Sequence, residues 1–94
     1  MDVATEINNL VLFQGTLYRE RVVANLSRCD FSSAVRDMAS FRQFGLMYPS
    51  LFPNIEMEIT MLIGLCLMGI GDIPSAVRAF AKIISIEVRE LFLF

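Results

Sequence analysis

Apolar residues recur along most of the chain at intervals of three or four positions, and no segment alternates apolar and polar residues at period two. Intervals of three or four place side chains on one face of an α-helix, whereas a half-buried strand needs period two. The clearest case is the stretch 31–44, whose apolar positions are Phe31, Ala34, Val35, Met38, Phe41 and Phe44. The pattern therefore predicts an all-α protein.

Capping residues and glycines divide the first part of this pattern into two helices. Asp2 is a suitable N-cap for a first helix over residues 3–13, because its carboxylate can accept from free backbone N–H groups. Gly15 and its neighbours are expected to break that helix. A second helix is then predicted over residues 17–28, with Thr16 as its cap.

Three further helices follow, which brings the expected total to about five. Residues 45–54 hold two of the three prolines and form the one clear non-helical connection. The three helices are predicted over residues 31–45 after the cap Asp30, over residues 55–68, and over residues 73–92 after the cap Asp72.

A pattern of small and large residues in the last helix pair indicates a repeat. Gly64 is followed 12 positions later by Ala76, and Phe80 comes four positions further on. A small residue on one helix lets alanine on the next approach it, and the large residues fill the layer to the neighbouring pair. This order resembles the tetratricopeptide repeat (TPR). The packing positions would be taken by Gly64, Leu67, Ala76, Phe80 and Ile83.

A weaker copy lies upstream, with Ala34 in the anchor position and Phe41 after it. Its first helix is degenerate, because Arg21 and Asn25 occupy places where the repeat expects apolar residues. The resemblance implies one TPR-like domain, a right-handed stack of antiparallel helix pairs. Its parts would be an extra N-terminal helix (1–14), a degenerate repeat (15–46) and a second repeat (55–92).

Composition narrows the classes of partner. The 94 residues are 55% hydrophobic and 19% charged, with net charge −2, so the chain is too apolar to be disordered. Its eight basic residues are scattered, which argues against nucleic acid. The longest uncharged stretch, 59–71, has 13 residues against the roughly 20 that span a membrane, so no membrane insertion is expected. The acidic start lacks the basic region of a secretory signal, and the expected location is cytoplasmic.

The residue types that carry most protein chemistry are absent or isolated. The chain has no histidine, and Cys29 and Cys66 are interpreted as reduced core residues. Gly64 and Gly69 have the spacing of a phosphate loop, but the lysine that such a loop needs is missing. The sequence therefore predicts no enzyme, no catalytic residue, no metal or cofactor, and no small-molecule substrate.

The predicted helix over residues 55–68 is apolar on every side and must be covered. One of its sides, formed by Met61, Leu65 and Met68, is turned by roughly a third of a circle from the side that meets the following helix, and it would lie on the concave surface of a repeat stack. Methionine adapts to the side chains of a bound helix. We therefore predict a groove for an amphipathic helix, lined by Val23, Leu26, Met61, Leu65 and Met68. The alternative is that these residues are the core of a compact five-helix fold.

The small size, acidic charge, helix pairs and apolar groove resemble the TPR-type chaperones of bacterial type III secretion, in particular the larger subunit of the needle-protein chaperone pair. This resemblance implies two protein partners, a small helical co-chaperone and the secreted needle subunit. The groove would hold an amphipathic helix of the needle subunit and prevent its premature polymerisation. Ile7, Leu10 and Phe13 are assigned to the co-chaperone or an end-face contact. The alternative is a TPR-like adaptor or scaffold subunit of another assembly, which would also use the tail 92–94.

Overall fold

Four α-helices account for most of the chain in the computed structural model, which describes the backbone of residues 2–92 and the side chains of residues 2–85. The described part contains no strand, so the all-α prediction is confirmed, with four helices instead of about five. The helices are α1 (Val3–Ser27), α2 (Phe31–Met47), α3 (Ile55–Ile70) and α4 (Ile73–Phe92).

Helix α1 runs without interruption through Gly15, and the predicted break at residues 14–16 is wrong. A single glycine costs about 1 kcal/mol inside a helix, which tertiary contacts can offset. Gly15 is buried, and a Cβ there would lie 2.5 Å from the ring of Phe52. Thr16 does not cap a helix, since its hydroxyl donates to the Leu12 carbonyl oxygen at 3.1 Å. The glycine therefore makes room for Phe52, and residues 3–14 belong to the same helix as residues 15–27.

The three predicted aspartate caps are confirmed. Asp2 accepts from the N–H of Ala4, and Asp30 and Asp72 accept from backbone N–H groups one turn into α2 and α4, each at 3.2 Å. Hydrogen bonds from the side chains and N–H groups of Ser33 and Ser75 lower the pKa of Asp30 and Asp72. A lowered pKa means that the charged form stabilises the fold at neutral pH, and that this contribution is lost as the pH falls through the lowered value.

Helices α1 and α2 form an antiparallel hairpin. The rings of Tyr18 and Phe44 lie 5.2 Å apart, while further along α1 Asn25 donates to Asp37, nearer the start of α2, at 2.6 Å. Asn25 is buried where the repeat expects an apolar residue, and it also accepts a hydrogen bond from Arg28. Because both ends of its amide are paired, its burial is tolerated.

Helices α2 and α3 are antiparallel as well. A Cβ on Gly45, late in α2, would lie 2.6 Å from Ile55 at the start of α3. A Cβ on Gly69, late in α3, would lie 2.6 Å from the ring of Phe31 at the start of α2. Since the chain reverses twice, α1 and α3 run in the same direction.

Helix α4 packs against α3 and, within the described residues, against no other helix. A Cβ on Gly64 would lie 2.7 Å from the ring of Phe80, and Ala76, one turn before Phe80 on α4, is buried. The repeat pattern predicts that Ala76 approaches Gly64, whereas the side chain nearest to Gly64 is Phe80. Helix α1 packs on α2, α2 on α3, and α3 on α4, as in two helix hairpins that lie side by side.

The fold is flat and open. Its Cα atoms span 48 × 39 × 16 Å, and the smallest extent matches two layers of helices. The radius of gyration is 15.0 Å, against about 12 Å for a compact domain of this length. The accessible surface is 6531 Å², roughly 1,000 Å² more than a compact monomer of this mass exposes. Much apolar surface therefore stays uncovered in the chain alone.

Replacing Gly15 with alanine is expected to lower the free energy of unfolding by about 1 kcal/mol, although alanine is the better helix former. The gain in helix propensity is about 1 kcal/mol, whereas overpacking a core costs roughly 1–3 kcal/mol. Phe52 cannot retreat easily because Phe41 and Phe44 enclose its ring. Urea unfolding followed by circular dichroism measures the change, and the double variant Gly15→Ala/Phe52→Leu should recover most of the loss. A more stable Gly15→Ala protein would contradict the packing.

The two cysteines differ, and the interpretation of Cys29 as a core residue is wrong. Cys66 is a buried free thiol, and burial raises the pKa of that thiol. Cys29 is exposed, with φ of 59° in the turn between α1 and α2. A thiol reagent at neutral pH should therefore modify Cys29 rapidly and Cys66 only after denaturation. Mass spectrometry of the intact chain counts the labels, and two fast labels would contradict the burial of Cys66.

Candidate binding surface

Four of the five predicted groove residues lie exposed at the surface. Val23, Met61, Leu65 and Met68 each keep between 43% and 50% of their surface accessible. Leu26 is half-buried and packs against the core. The alternative that these residues form the core of a compact five-helix fold is therefore wrong for Met61, Leu65 and Met68.

A charged pair shows how the two helices that carry these residues are related. Arg19 of α1 donates to Glu58 of α3 through both Nε and Nη2, the latter at 3.1 Å. Val23 and Leu26 follow Arg19 by four and seven positions and share its side of α1. On α3 the side of Glu58 continues through Met61, Leu65 and Met68. Because α1 and α3 run in the same direction, helical periodicity puts each apolar stripe on the side of its helix that carries the Arg19–Glu58 link.

An aromatic ring also holds Arg19 in position, in addition to the carboxylate of Glu58. Its guanidinium lies 5.3 Å from the centre of the Phe41 ring, within the range of a cation–π contact. The hydrogen bond that Arg19 donates to Glu58 raises the pKa of Arg19, against the opposing effect of partial burial. Arg19 and Glu58 therefore form a charged, two-point link between the two hairpins.

The coupling between Arg19 and Glu58 is expected to be about 1 kcal/mol, because the pair is bidentate and partly buried. A double-mutant cycle with Arg19→Ala and Glu58→Ala, read by urea unfolding, measures it. The matched control is the pair Arg42 and Glu56, which joins α2 to α3 at 2.7 Å but is mostly exposed, and its coupling should be near zero. Equal coupling energies for the two pairs would contradict the described link.

Two shallow cavities extend the surface across the first turns of α3. One of about 240 Å³ lies between α1 and the segment 51–55, and one of about 390 Å³ lies between α3 and α4. They share Asn54 and Glu58, and we refer to these two neighbouring cavities together as the depression. Between them they are lined by Leu12, Thr16, Arg19, Phe52, Asn54, Met57, Glu58, Met61 and Ile83, among others.

Several residues of this depression were not predicted from the sequence. Arg19 and Glu58 lie 39 positions apart, and no local pattern joins them. Ile83 was assigned to helix packing, and the structure also places it in the cavity beside Met61. The signal that could have found Arg19 is its place on the same face of α1 as Val23 and Leu26.

The residues assigned to a co-chaperone or end-face contact are also exposed. Ile7, Leu10 and Phe13 keep between 53% and 68% of their surface accessible. Every side chain from residue 2 to residue 10 is exposed, so this part of α1 extends beyond the packed body. The tail 92–94 lies outside the residues whose side chains the structure describes.

Within the described part of the chain, we find no feature of a metal site or of a membrane span. The described residues hold no group of three metal-ligating side chains, and none of their helices combines the length and the apolar composition needed to cross a membrane. No family model, curated protein or solved structure matches the chain. The exposed apolar stripe and the cavities beside it are therefore the features that a proposed function has to explain.

Proposed function

We propose that this protein is a TPR-like chaperone that holds an amphipathic helix of another protein in the groove formed by α1 and α3. The observation that carries the proposal is the exposed apolar stripe Met61, Leu65 and Met68 on a helix whose core-facing side lies about a third of a turn away. Exposed apolar side chains in a continuous patch mark a binding site more often than scattered ones do.

The helix packing supports the TPR-like part of the proposal. Two antiparallel hairpins lie side by side, and α1 and α3 run in the same direction, as the first helices of successive repeats do. A right-handed stack of such pairs has a concave surface made by its first helices. The stripe on α3 and its neighbours Val23 and Leu26 would lie on that surface.

The dimensions suit a short helix as the ligand. Met61 and Met68 are seven residues apart, about 10 Å along α3, which matches two turns of a bound helix. The two methionines can adjust to a range of apolar side chains, and Leu65 lies between them. Glu58 and Asn54 at one end favour a ligand helix with a basic or polar residue there.

The cellular form of the proposal follows from the resemblance to type III secretion chaperones. The ligand would be the C-terminal amphipathic helix of a needle subunit, kept from polymerising in the cytoplasm. A small helical co-chaperone would cover Ile7, Leu10 and Phe13, which the structure leaves exposed. Production with that co-chaperone should then raise the solubility of the chain.

A second candidate function is a TPR-like adaptor or scaffold subunit of another assembly. The observation that favours it is the exposed start of α1, which lies away from the groove and could join a neighbouring subunit. An adaptor of this kind would not need the stripe on α3 for its contacts.

A binding titration tests the proposal. Fluorescently labelled peptides that span the C-terminal helices of needle subunits are titrated with the full chain, and anisotropy is measured. A matched peptide of the same composition in scrambled order is the control. The proposal predicts saturable binding of at least one native peptide and none of its scrambled form. Equal binding of native and scrambled peptides would leave the adaptor function as the better explanation.

A further inference from the structure

The two ends of the fold carry complementary charges at the same spacing. Asp2 and Glu6, at the exposed start of α1, are the only two acidic residues in the sequence that lie four positions apart. Arg78 and Lys82, on α4, are the only two basic residues with that spacing. A spacing of four places both members of a pair on one face of a helix.

The basic pair borders an apolar crease between α3 and α4. A shallow cavity of about 380 Å³ there is lined by Thr60, Ile63, Arg78, Ala79 and Lys82. At 100° per residue, Thr60 and Ile63 lie on the other side of the line between Gly64 and Phe80 from Met61. The crease is therefore a surface separate from the groove of the proposed function.

The acidic pair borders an apolar stripe of matching length. Val3, Ile7 and Leu10 follow one another at intervals of four and three and are all exposed. We name residues 2–10 the arm, and it extends beyond the packed body of the molecule.

We propose that the arm of one copy of this chain docks in the crease between α3 and α4 of a second copy. Asp2 and Glu6 would meet Arg78 and Lys82, and the apolar stripe of the arm would cover Ile63. The arm and the crease are different surfaces of the chain, so the contact is heterologous. The copy that supplies the arm keeps a free crease, and the copy that supplies the crease keeps a free arm. Such contacts build rings or open chains.

Charge and area both favour docking of the arm in the crease of a second copy over a symmetric contact between two arms. Two arms side by side would bring Asp2 and Glu6 of both copies together, and residues 2–18 contain no lysine or arginine to offset those charges. The chain exposes roughly 1,000 Å² more than a compact monomer, and a stable interface takes about 800 Å² from each partner. The arm and the crease are part of that excess.

Sedimentation velocity of the full chain in 50 mM and 500 mM salt tests the proposal. It does not rest on the chaperone function. A co-chaperone on Ile7 and Leu10 would compete with this contact, so the chain is tested alone. The groove variant Leu65→Asp should assemble like the wild type. We expect species larger than a dimer as concentration rises, and weaker association at high salt. A monomer at every concentration, a dimer that resists salt, or loss of assembly in Leu65→Asp would each overturn it.

Reversing the charges on the arm or on the crease tests whether these two surfaces make the contact. An arm variant, Asp2→Asn with Glu6→Lys, keeps the N-cap, and a crease variant carries Arg78→Glu with Lys82→Glu. Each should weaken assembly about tenfold or more, and an equimolar mixture of the two should assemble again, which a damaged fold could not produce. The controls Glu20→Lys and Arg36→Glu reverse exposed charges elsewhere and should change nothing. Assembly of either variant alone, or failure of the mixture to assemble, would refute the docking of arm in crease.

Discussion

Replacing Phe41 with alanine is expected to destabilise the fold by about 3–5 kcal/mol, the range for large buried aromatic side chains. Phe41 is fully buried, and no larger side chain among residues 2–85 is. Its ring meets that of Phe52 edge-on at 6.4 Å and supports the guanidinium of Arg19. Because small domains have only about 5–15 kcal/mol of stability, this loss is a large fraction of the total and should clearly lower the urea midpoint of unfolding.

Urea unfolding followed by circular dichroism measures this loss. The matched control is Phe13→Ala, the same change at a residue that keeps 61% of its surface exposed, and its effect should stay within about 0.5 kcal/mol. If the two substitutions cost the same, Phe41 would not be the centre of the core.

The second large effect concerns binding. Leu65→Asp is expected to weaken the binding of a helical ligand by about 100-fold or more, because an unpaired carboxylate would face an apolar contact. The stability of the free protein should change little, since Leu65 is exposed in the chain alone.

Two control variants separate binding from folding. Val35→Asp places the same charge on an exposed position of α2 and should leave both binding and stability unchanged. Leu62→Asp places it in the core and should unfold the protein. If Leu65→Asp binds like Val35→Asp, the stripe on α3 is not the binding surface, and if it unfolds like Leu62→Asp, the stripe is part of the core.

Local patterns were sufficient for the helices after α1. Asp30 and Asp72 lie before apolar residues at helical spacing, and Pro49 and Pro53 mark the connection between α2 and α3, so the order of α2, α3 and α4 could be predicted. The expected non-helical stretch 45–54 is wrong at its start, because α2 continues to Met47. The break at Gly15 could not be judged in the same way. A glycine that ends a helix and a glycine that admits a distant ring look alike in a sequence, and only the position of Phe52 distinguishes them.

The apolar residues of the candidate binding surface could be predicted from the sequence, but its polar residues could not. Periodicity placed Met61, Leu65 and Met68 on one side of a helix, and the structure leaves that side exposed. The link between Arg19 and Glu58 depends on how the two hairpins pack, which no spacing along the chain expresses. The burial of Asn25 is similar, because its partner Asp37 comes from the other helix of the hairpin.

The methionines offer the most direct test that the stripe on α3 binds a helix. In a chain labelled with ¹³C at the methionine methyl groups, the needle-subunit peptide that binds in anisotropy is added and spectra are recorded. Met61 and Met68 should shift or broaden in proportion to the bound fraction, whereas Met47, exposed at the end of α2, and Met38, buried in the core, should stay unchanged. Saturable binding that moves Met47 and leaves Met61 and Met68 unchanged would contradict the proposed groove.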